Sequence, residues 1–161
     1  MKANYPVNKF QKIQTPFYYY DLDLLRDTLS EINKQIEGVP FLVHYALKAN
    51  VNPKLLAEIK KAGLGADCVS GGEVQAAIDA GIEPSKIAFA GVGKADWEIN
   101  LALGHDIFCF NVESIPELEV INELAGAKGK TARVALRINP DIDAHTHHKI
   151  TTGLNENKFG I

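Results

Sequence analysis

Residues 40–50, PFLVHYALKAN, are a short apolar run that ends in a lysine, and this run decides the fold. Its composition predicts a strand over 41–47, with Lys48 at the carboxyl end of that strand. Asn52 is a suitable helix cap and Pro53 a suitable first helical residue, so a helix is expected next. Proteins of the α/β class carry their chemistry at the carboxyl ends of parallel strands, and Lys48 stands at such an end.

A lysine at this position has two interpretations. Burial in an apolar strand disfavours the charged ammonium and makes the neutral amine available as a nucleophile. Alternatively, the lysine stands at the strand edge and extends its amine into water without a chemical role. The position of Lys48 does not decide between the two.

Strands and helices alternate along the rest of the chain. Further strands are predicted at 65–69, 86–90, 107–110 and 132–138. Helices are predicted between them, at 53–62, 71–80, 95–103 and 115–125. Short β-branched strands without polar alternation are typical of strands buried on both faces, and regular strand–helix alternation indicates parallel βαβ units.

The residues before this region predict one more strand and one more helix. The aromatic segment FYYY at 17–20 predicts a short strand, and 21–37 predicts a helix that Gly38 ends. Two later helices begin with the pattern of a capping box, in which a serine is followed three residues on by a glutamate. These patterns stand at 70–73 and 114–117.

The five predicted parallel strands fit either an open doubly wound sheet or part of a (β/α)8 barrel. No GxGxxG segment follows the first strand, which weakens the case for a dinucleotide fold. A complete barrel needs about 250 residues, whereas this chain has 161. We therefore predict an α/β fold in which 16–161 forms the first five to six units of a TIM-type barrel, about two thirds of its eight. Residues 1–15 are expected to form a leading arm, and the chain is expected to be the front of a longer protein.

Composition excludes several classes of partner. The formal net charge of -3, with 46% hydrophobic and 23% charged residues, is typical of a soluble globular protein. It gives no reason to expect nucleic acid or an anionic membrane as partner. No signal peptide or long apolar span is present. Cys68 and Cys109 lie in predicted strands without metal-binding spacing, which indicates reduced, buried thiols in a cytoplasmic chain.

Polar residues and glycines follow the predicted strands at their carboxyl ends. They include Lys48, Asn50, Asp67, Ser70, Gly91, Gly93, Lys94, Asn111, Glu113, Arg137, Asn139 and Asp141. Because carboxyl ends of parallel strands meet at one edge, these residues are expected to share the rim that a barrel uses for catalysis. Ser70 and Glu73 are also explained by a helix cap alone. Asp67 and Arg137 are charged groups in apolar strands and need partners if they are buried.

The polar segment 137–161 contains three histidines, His145, His147 and His148. No carboxylate or cysteine completes a known metal-ligand spacing, and the histidines do not form a helical i,i+4 pair. We therefore predict no metal site. A long polar loop over the barrel mouth is the favoured interpretation.

Several of these segments together resemble one enzyme family. The segment YALKAN at 45–50 resembles the lysine motif of the barrel-type, pyridoxal-phosphate-dependent decarboxylases and alanine racemases. GADCVSGGE at 65–73 resembles the second-strand motif of the decarboxylases. The later motifs look like those of the diaminopimelate decarboxylases in particular, and they are RINPD at 137–141, HTH at 145–147, TG at 152–153 and KFGI at 158–161.

The resemblance implies a cofactor, a reaction and a set of site residues. Lys48 would bind pyridoxal 5'-phosphate as a Schiff base, and the enzyme would convert meso-2,6-diaminopimelate to L-lysine and CO2, the last step of lysine biosynthesis. Asp67 and Arg137 match family positions at the cofactor. Further positions that match the pocket lining are Glu73, His145 and Lys158.

The resemblance also implies what lies beyond this chain. The phosphate cradle, the substrate-binding residues and a C-terminal β-domain come later in the family and have no matching positions here. Residues 1–161 alone are therefore expected to be inactive and not to bind the cofactor tightly. In the family, the arm packs with the β-domain and the active site is shared between subunits, which implies a homodimer.

Three alternatives remain open. The first is another decarboxylase of the same fold, acting on ornithine, arginine or carboxynorspermidine. The second is a single-domain barrel that carries pyridoxal phosphate without catalytic turnover. The third is a non-enzymatic α/β interaction domain in which Lys48 is structural, although this leaves the collection of polar residues on one rim unexplained.

Overall fold

The computed structural model describes residues 5–139 and 159–161. It divides the chain into two compact units, Met1–Phe41 and Leu42–Ile161. This division falls later than the predicted arm boundary after residue 15, and the extent of the arm in the whole protein stays a prediction. The two units are described in turn.

The first unit contains two helices, α1 (Val7–Phe10) and α2 (Leu22–Gln35). The Asp21 carboxylate caps α2 by accepting a hydrogen bond from the Leu24 amide at 3.0 Å. The prediction of this helix is confirmed. The predicted strand at 17–20 is wrong, because the segment pairs with no strand in the described chain. The rings of Phe17 and Tyr19 contact Phe10 instead. High strand propensity does not produce a strand where no partner strand is available.

The second unit alternates strand and helix as predicted. Its strands are β1 (His44–Ala46), β2 (Gly65–Cys68), β3 (Ile87–Phe89), β4 (Cys109–Val112) and β5 (Val134–Leu136). Its α-helices are α3 (Pro53–Lys61), α4 (Gly71–Asp79), α5 (Asp96–Gly104) and α6 (Ile115–Ala127). Two short 3-10 helices lie at Leu47–Ala49 and Pro84–Lys86.

All five strands differ from their predicted bounds. The strands β2, β3 and β5 are shorter than predicted, by one, two and four residues. The strand predicted at 41–47 is reduced to the three residues of β1, because the chain turns into the 3-10 helix Leu47–Ala49. The strand predicted at 107–110 begins later, at Cys109, where its pairing with β3 and β5 starts. Register with neighbouring strands fixes these limits, and a single segment does not reveal its register.

The sheet order decides between the two predicted architectures. All neighbouring strands pair in parallel, in the order β1-β2-β3-β4-β5. A doubly wound sheet reverses its strand order at a switch point, whereas a barrel keeps the order of the chain. The observed order is therefore that of a partial barrel.

The pairing continues beyond β5. The Ile161 amide donates to the Arg137 carbonyl at 2.8 Å, and the Asn139 amide donates to the Ile161 carbonyl at 3.0 Å. This exchange is the hydrogen-bond pattern of a parallel ladder. The segment 159–161 thus lies at the next position of the sheet, as expected for five to six consecutive units of a barrel.

The core lies between the sheet and its helices. Alternate strand residues such as Ile87, Phe89 and Phe110 are almost fully buried, and the helices contribute Leu56 and Ile99. Each such side chain stabilises the fold by about 1.5–3 kcal/mol. This packing fixes the sheet that carries the polar rim.

The prediction that every strand is buried on both faces is wrong for β5. Val134 and Leu136 are 41% and 49% exposed. In the described residues, α6 packs before β5 and no helix follows it along the sheet. A barrel strand is buried only where helices cover its outer face.

Candidate active site

Lys48 lies directly after β1, on a turn that is firmly held. The turn residue Leu47 is completely buried, and the Asn50 amide donates to the Leu47 carbonyl at 2.9 Å. The Tyr45 hydroxyl donates to the Asn50 carbonyl at 3.2 Å, and the Asn50 side chain accepts from the Asn52 amide at 2.8 Å. Lys48 itself is exposed. The described residues therefore do not bury Lys48, and its chemical role stays a prediction.

A cleft of about 280 Å3 opens beside the carboxyl ends of the strands. It is lined by Asp67, Ala90, Asn111, Glu113, Ala135, Leu136 and Arg137. The sequence predicted that Asp67 and Arg137 share this rim, and the cleft brings them together. The predicted site at the carboxyl edge of the sheet is therefore a real concave surface with charged walls.

Arg137 has the partner that its apolar strand requires. Its Nη1 donates to Oε2 of Glu113 at 2.6 Å, and Glu113 is only 6% exposed. A guanidinium–carboxylate pair of this length is a charge-assisted hydrogen bond. Within the described residues, Arg137 forms its ion pair with Glu113 and none with Asp67.

Asp67 is half-buried in β2, in register with Ala46 on one side and Ala88 on the other. Small neighbours on both strands leave space above its carboxylate. Across residues 5–139 and 159–161, its side chain makes no hydrogen bond or ion pair. The Asp67 carboxylate is therefore open to a ligand in the cleft.

Glu73 acts as a helix cap in this structure. Its carboxylate accepts a hydrogen bond from the Val69 amide at 2.8 Å, and its own amide donates to Oγ of Ser70 at 3.3 Å. The capping explanation for Ser70 and Glu73 is thus confirmed. The Glu73 carboxylate bonds the amide of Val69, the residue before the cap, rather than that of Ser70. A pocket-lining role for Glu73 stays a prediction.

The structure also contains a buried lysine whose bonds the sequence did not reveal. Lys94 is 1% exposed, and its ammonium donates to the Gly91 carbonyl at 2.7 Å and to the Asn111 carbonyl at 2.9 Å. It also donates to the carboxylate of Glu117. The sequence placed Lys94 on the rim but gave no signal for its pairing with a glutamate on another helix.

Burial and charge act on the side chains of the inner strands. Burial lowers the pKa of His44, while the nearby Asp67 carboxylate partly opposes this effect. Burial, with Glu73 and Asp67, raises the pKa of the Cys68 thiol to about 12. Burial also raises the pKa of Cys109, which is half-buried rather than buried as predicted. Neither thiol is therefore activated as a nucleophile.

Two predicted pocket residues, His145 and Lys158, lie outside the described residues, as do His147 and His148. In the described part of the chain, no three His, Cys, Asp or Glu side chains are grouped so that they could hold a metal ion. None of the helices that the structure describes is long and apolar enough to cross a membrane.

The donor set fits one end of pyridoxal phosphate. The aldehyde requires a reachable primary amine, and Lys48 presents one at the rim. The phosphate requires unpaired donors or cations. The rim cations Lys94 and Arg137 are already bonded to carboxylates. The described residues thus contain an exposed amine that fits the aldehyde and a cleft with charged walls, while the phosphate needs donors from elsewhere.

The comparisons with known proteins agree with this site. Residues 22–161 match the family described as pyridoxal-dependent decarboxylase, pyridoxal binding domain. The chain is 67% identical to diaminopimelate decarboxylase from Bacteroides thetaiotaomicron, over all of this chain but 42% of that protein. The structure of diaminopimelate decarboxylase from Helicobacter pylori complexed with L-lysine is similar, with a TM-score of 0.86 and 47% identity over 96% of this chain and 39% of that one. An arginine decarboxylase from Paramecium bursaria Chlorella virus is more distant, with a TM-score of 0.66 and 26% identity over 85% of this chain and 34% of that one.

Proposed function

The chain belongs to the family of pyridoxal-dependent decarboxylases, whose pyridoxal binding domain residues 22–161 match, and from this premise we propose that its whole protein converts meso-2,6-diaminopimelate to L-lysine and CO2. The chain spans less than half the length of the curated relative to which it is 67% identical. The observation that carries the proposal is the exposed Lys48, held on a turn at the carboxyl end of β1, which is the edge of the sheet at which the charged cleft opens.

Each rim residue has a part in this reaction that follows from its environment. Pyridoxal phosphate, when bound, supplies an electron sink for the pair of electrons left by departing CO2. Lys48 Nζ would hold the cofactor through its aldehyde carbon. Asp67 offers a carboxylate without a partner among the described residues, which can accept hydrogen bonds from an ammonium group. Arg137 and Glu113 neutralise each other and fix the adjacent wall of the cleft.

The choice of diaminopimelate over other amino acids rests on similarity. The chain is 67% and 47% identical to two diaminopimelate decarboxylases, one of them crystallised with L-lysine, and 26% identical to an arginine decarboxylase. L-Lysine is the product expected here. These values support diaminopimelate over arginine, ornithine or carboxynorspermidine as substrate.

The remaining parts of the proposal concern the complete enzyme. We assign pocket positions to Glu73, His145 and Lys158 by their match to family motifs. We also propose a cytoplasmic homodimer, since the resemblance implies an active site shared between subunits. Residues 1–161 alone are expected to be inactive, because the phosphate donors are not among the described residues.

The test is a side-by-side assay of CO2 release by the complete natural protein. Candidate substrates are meso-diaminopimelate, ornithine, arginine and carboxynorspermidine, each with pyridoxal phosphate present. We expect turnover of meso-diaminopimelate to dominate and residues 1–161 to show none. Dominant turnover of another amino acid would replace the substrate assignment, and cofactor binding without any turnover would support a non-catalytic cofactor carrier.

A further inference from the structure

Four charged residues form a continuous chain of contacts along the rim, which we call the rim relay: Lys94, Glu117, Glu113 and Arg137. Lys94 donates to Oε1 of Glu117, and Oε2 of Glu117 accepts from the Glu113 amide at 2.8 Å. The Glu113 carboxylate then accepts from Arg137 at 2.6 Å. The two glutamates are neighbours, joined through the Glu113 backbone amide, and a cation stands at each end, so the relay has no net charge.

The relay ties three strands together at their carboxyl ends. Lys94 binds the carbonyls of Gly91, after β3, and of Asn111, in β4. The other Oε of Glu113 accepts from the Gly91 amide at 3.4 Å. Arg137 follows β5, and its amide donates to the Val112 carbonyl at 2.9 Å. The Lys94 ammonium thus bonds to the carboxyl ends of β3 and β4 as well as to Glu117 on α6.

The Lys94 ammonium has no access to substrate. It is 1% exposed and lies 5.3 Å from the centre of the Phe89 ring, on the core side of the sheet. Such burial is costly for a charge unless every contact is made. A residue with this cost and no contact with the cleft can affect the reaction only through the groups that it holds.

We propose that Lys94 and Glu117 are positioning residues that set the Glu113–Arg137 pair at the wall of the active-site cleft. This inference rests on the proposed decarboxylase function. The Glu117 carboxylate accepts a hydrogen bond from the Glu113 amide. Lys94 donates to Glu117 and to the carbonyls at the ends of β3 and β4. Loss of either residue would let the Glu113–Arg137 pair shift relative to Asp67. A displacement of about 1 Å in a positioned group can lower a rate by about 100-fold.

Lys130, at the amino-terminal ends of the strands and opposite the rim, serves as a matched control. Lys130 precedes β5, and its ammonium donates to the Leu103 carbonyl at 2.6 Å, to the Gly104 carbonyl at 3.4 Å and to Asp106 at 2.9 Å. Like Lys94, it binds two carbonyls and one carboxylate, but it is 31% exposed and lies away from the cleft. Lys130→Met therefore removes the same kind of contact without touching the rim.

The experiment compares Lys94→Met, Glu117→Gln and Lys130→Met in the complete enzyme. Glu117→Gln keeps the side-chain size but places an NH2 donor at one of the two oxygen positions, so the bond from Lys94 or the bond from the Glu113 amide loses its acceptor. Values of kcat are expressed per active site that carries borohydride-trapped cofactor, so that poorly folded molecules are not counted. Hydrogen exchange of the Glu113 amide is measured in parallel, without substrate, and reports on the relay independently of turnover.

We expect Lys94→Met and Glu117→Gln to lower kcat by about 100-fold with a much smaller change in KM. Both should accelerate exchange of the Glu113 amide, and Lys130→Met should change neither quantity. Unchanged kcat per loaded site, an equal loss in Lys130→Met, or an unchanged Glu113 exchange rate would each overturn the inference. Absence of decarboxylation by the wild-type enzyme would instead refute the proposed function, and the exchange rates would still test the relay.

Discussion

Replacement of Glu98 is expected to destabilise two helices at once. Its Oε2 accepts a hydrogen bond from the Ala95 amide at 2.8 Å, at the start of its own helix α5. Its Oε1 accepts from the amide of Gly71, the first residue of α4. Ala95 stands at the cap position of α5 and has no side-chain oxygen, so Glu98 is the acceptor that serves this helix start.

The expected cost follows from the burial of the two amides. Gly71 is buried, and a buried donor left without an acceptor costs about 1–3 kcal/mol. Ala95 is exposed, so water replaces the lost bond and the cost is that of a cap, about 0.5–1 kcal/mol. Glu98→Ala should therefore lower the free energy of unfolding by about 1.5–4 kcal/mol. Glu98→Gln retains one acceptor oxygen and should lose about half of this.

The assay is urea unfolding of the complete protein, with Asp96→Asn as control. Asp96 is exposed in the first turn of the same helix, so its replacement removes a charge near the helix start but no buried contact. Glu98→Ala should be the least stable variant, followed by Glu98→Gln and then Asp96→Asn. If Glu98→Ala were no less stable than Asp96→Asn, the double cap would not contribute as the geometry requires.

Three further predictions concern the inner strands. Gly65→Ala would place a Cβ 2.4 Å from the Lys86 carbonyl and 2.5 Å from the His44 ring, so it should lower the free energy of unfolding by about 1–3 kcal/mol or more in urea titrations. Because the pKa of His44 is lowered from 6.5 in the fold, the unfolded chain binds more protons below that pH and stability should fall as pH decreases from 6.5. His44→Gln should weaken this pH dependence of the unfolding midpoint, whereas replacement of the exposed His105 should not. The Cys68 thiol, buried and with a pKa of about 12, should react with iodoacetamide far more slowly in the native protein than in urea, and equal rates would contradict its burial.

Local patterns were sufficient for most of the fold. The order of strands and helices followed from apolar runs and from caps such as Asp21 and Asn52, whose hydrogen bonds are present. The position of Lys48 after β1 followed from the same pattern. Strand ends were less predictable, as at β4, because they depend on register with neighbouring strands.

The sequence did not predict which charged side chains form pairs. Arg137 and Glu113 are 24 residues apart, and Lys94 and Glu117 are 23 apart. Each pair is joined only after two units of the barrel have folded against each other, and the sequence contains several other rim carboxylates at similar distances. The need for a partner for Arg137 was predictable, whereas the choice of Glu113 over Asp67 was not.

The same reasoning explains Glu98. A search for a serine or threonine followed three residues later by a glutamate finds 70–73 and 114–117, which are both caps, and 28–31, which lies inside α2. It misses α5, because alanine occupies the cap position there. The second bond of Glu98, to Gly71, crosses 27 residues and depends on the packing of α4 against α5.

The most direct test of the account is to find the lysine that binds pyridoxal phosphate in the complete protein. Borohydride reduction fixes a lysine–aldehyde Schiff base permanently, and a modified lysine is not cut by trypsin. We predict that the label appears on the peptide from Gln35 to Lys54, with an uncut bond after Lys48, and that Lys48→Ala abolishes it. A label on any other lysine, such as Lys54, or full labelling in Lys48→Ala would contradict the assignment of Lys48.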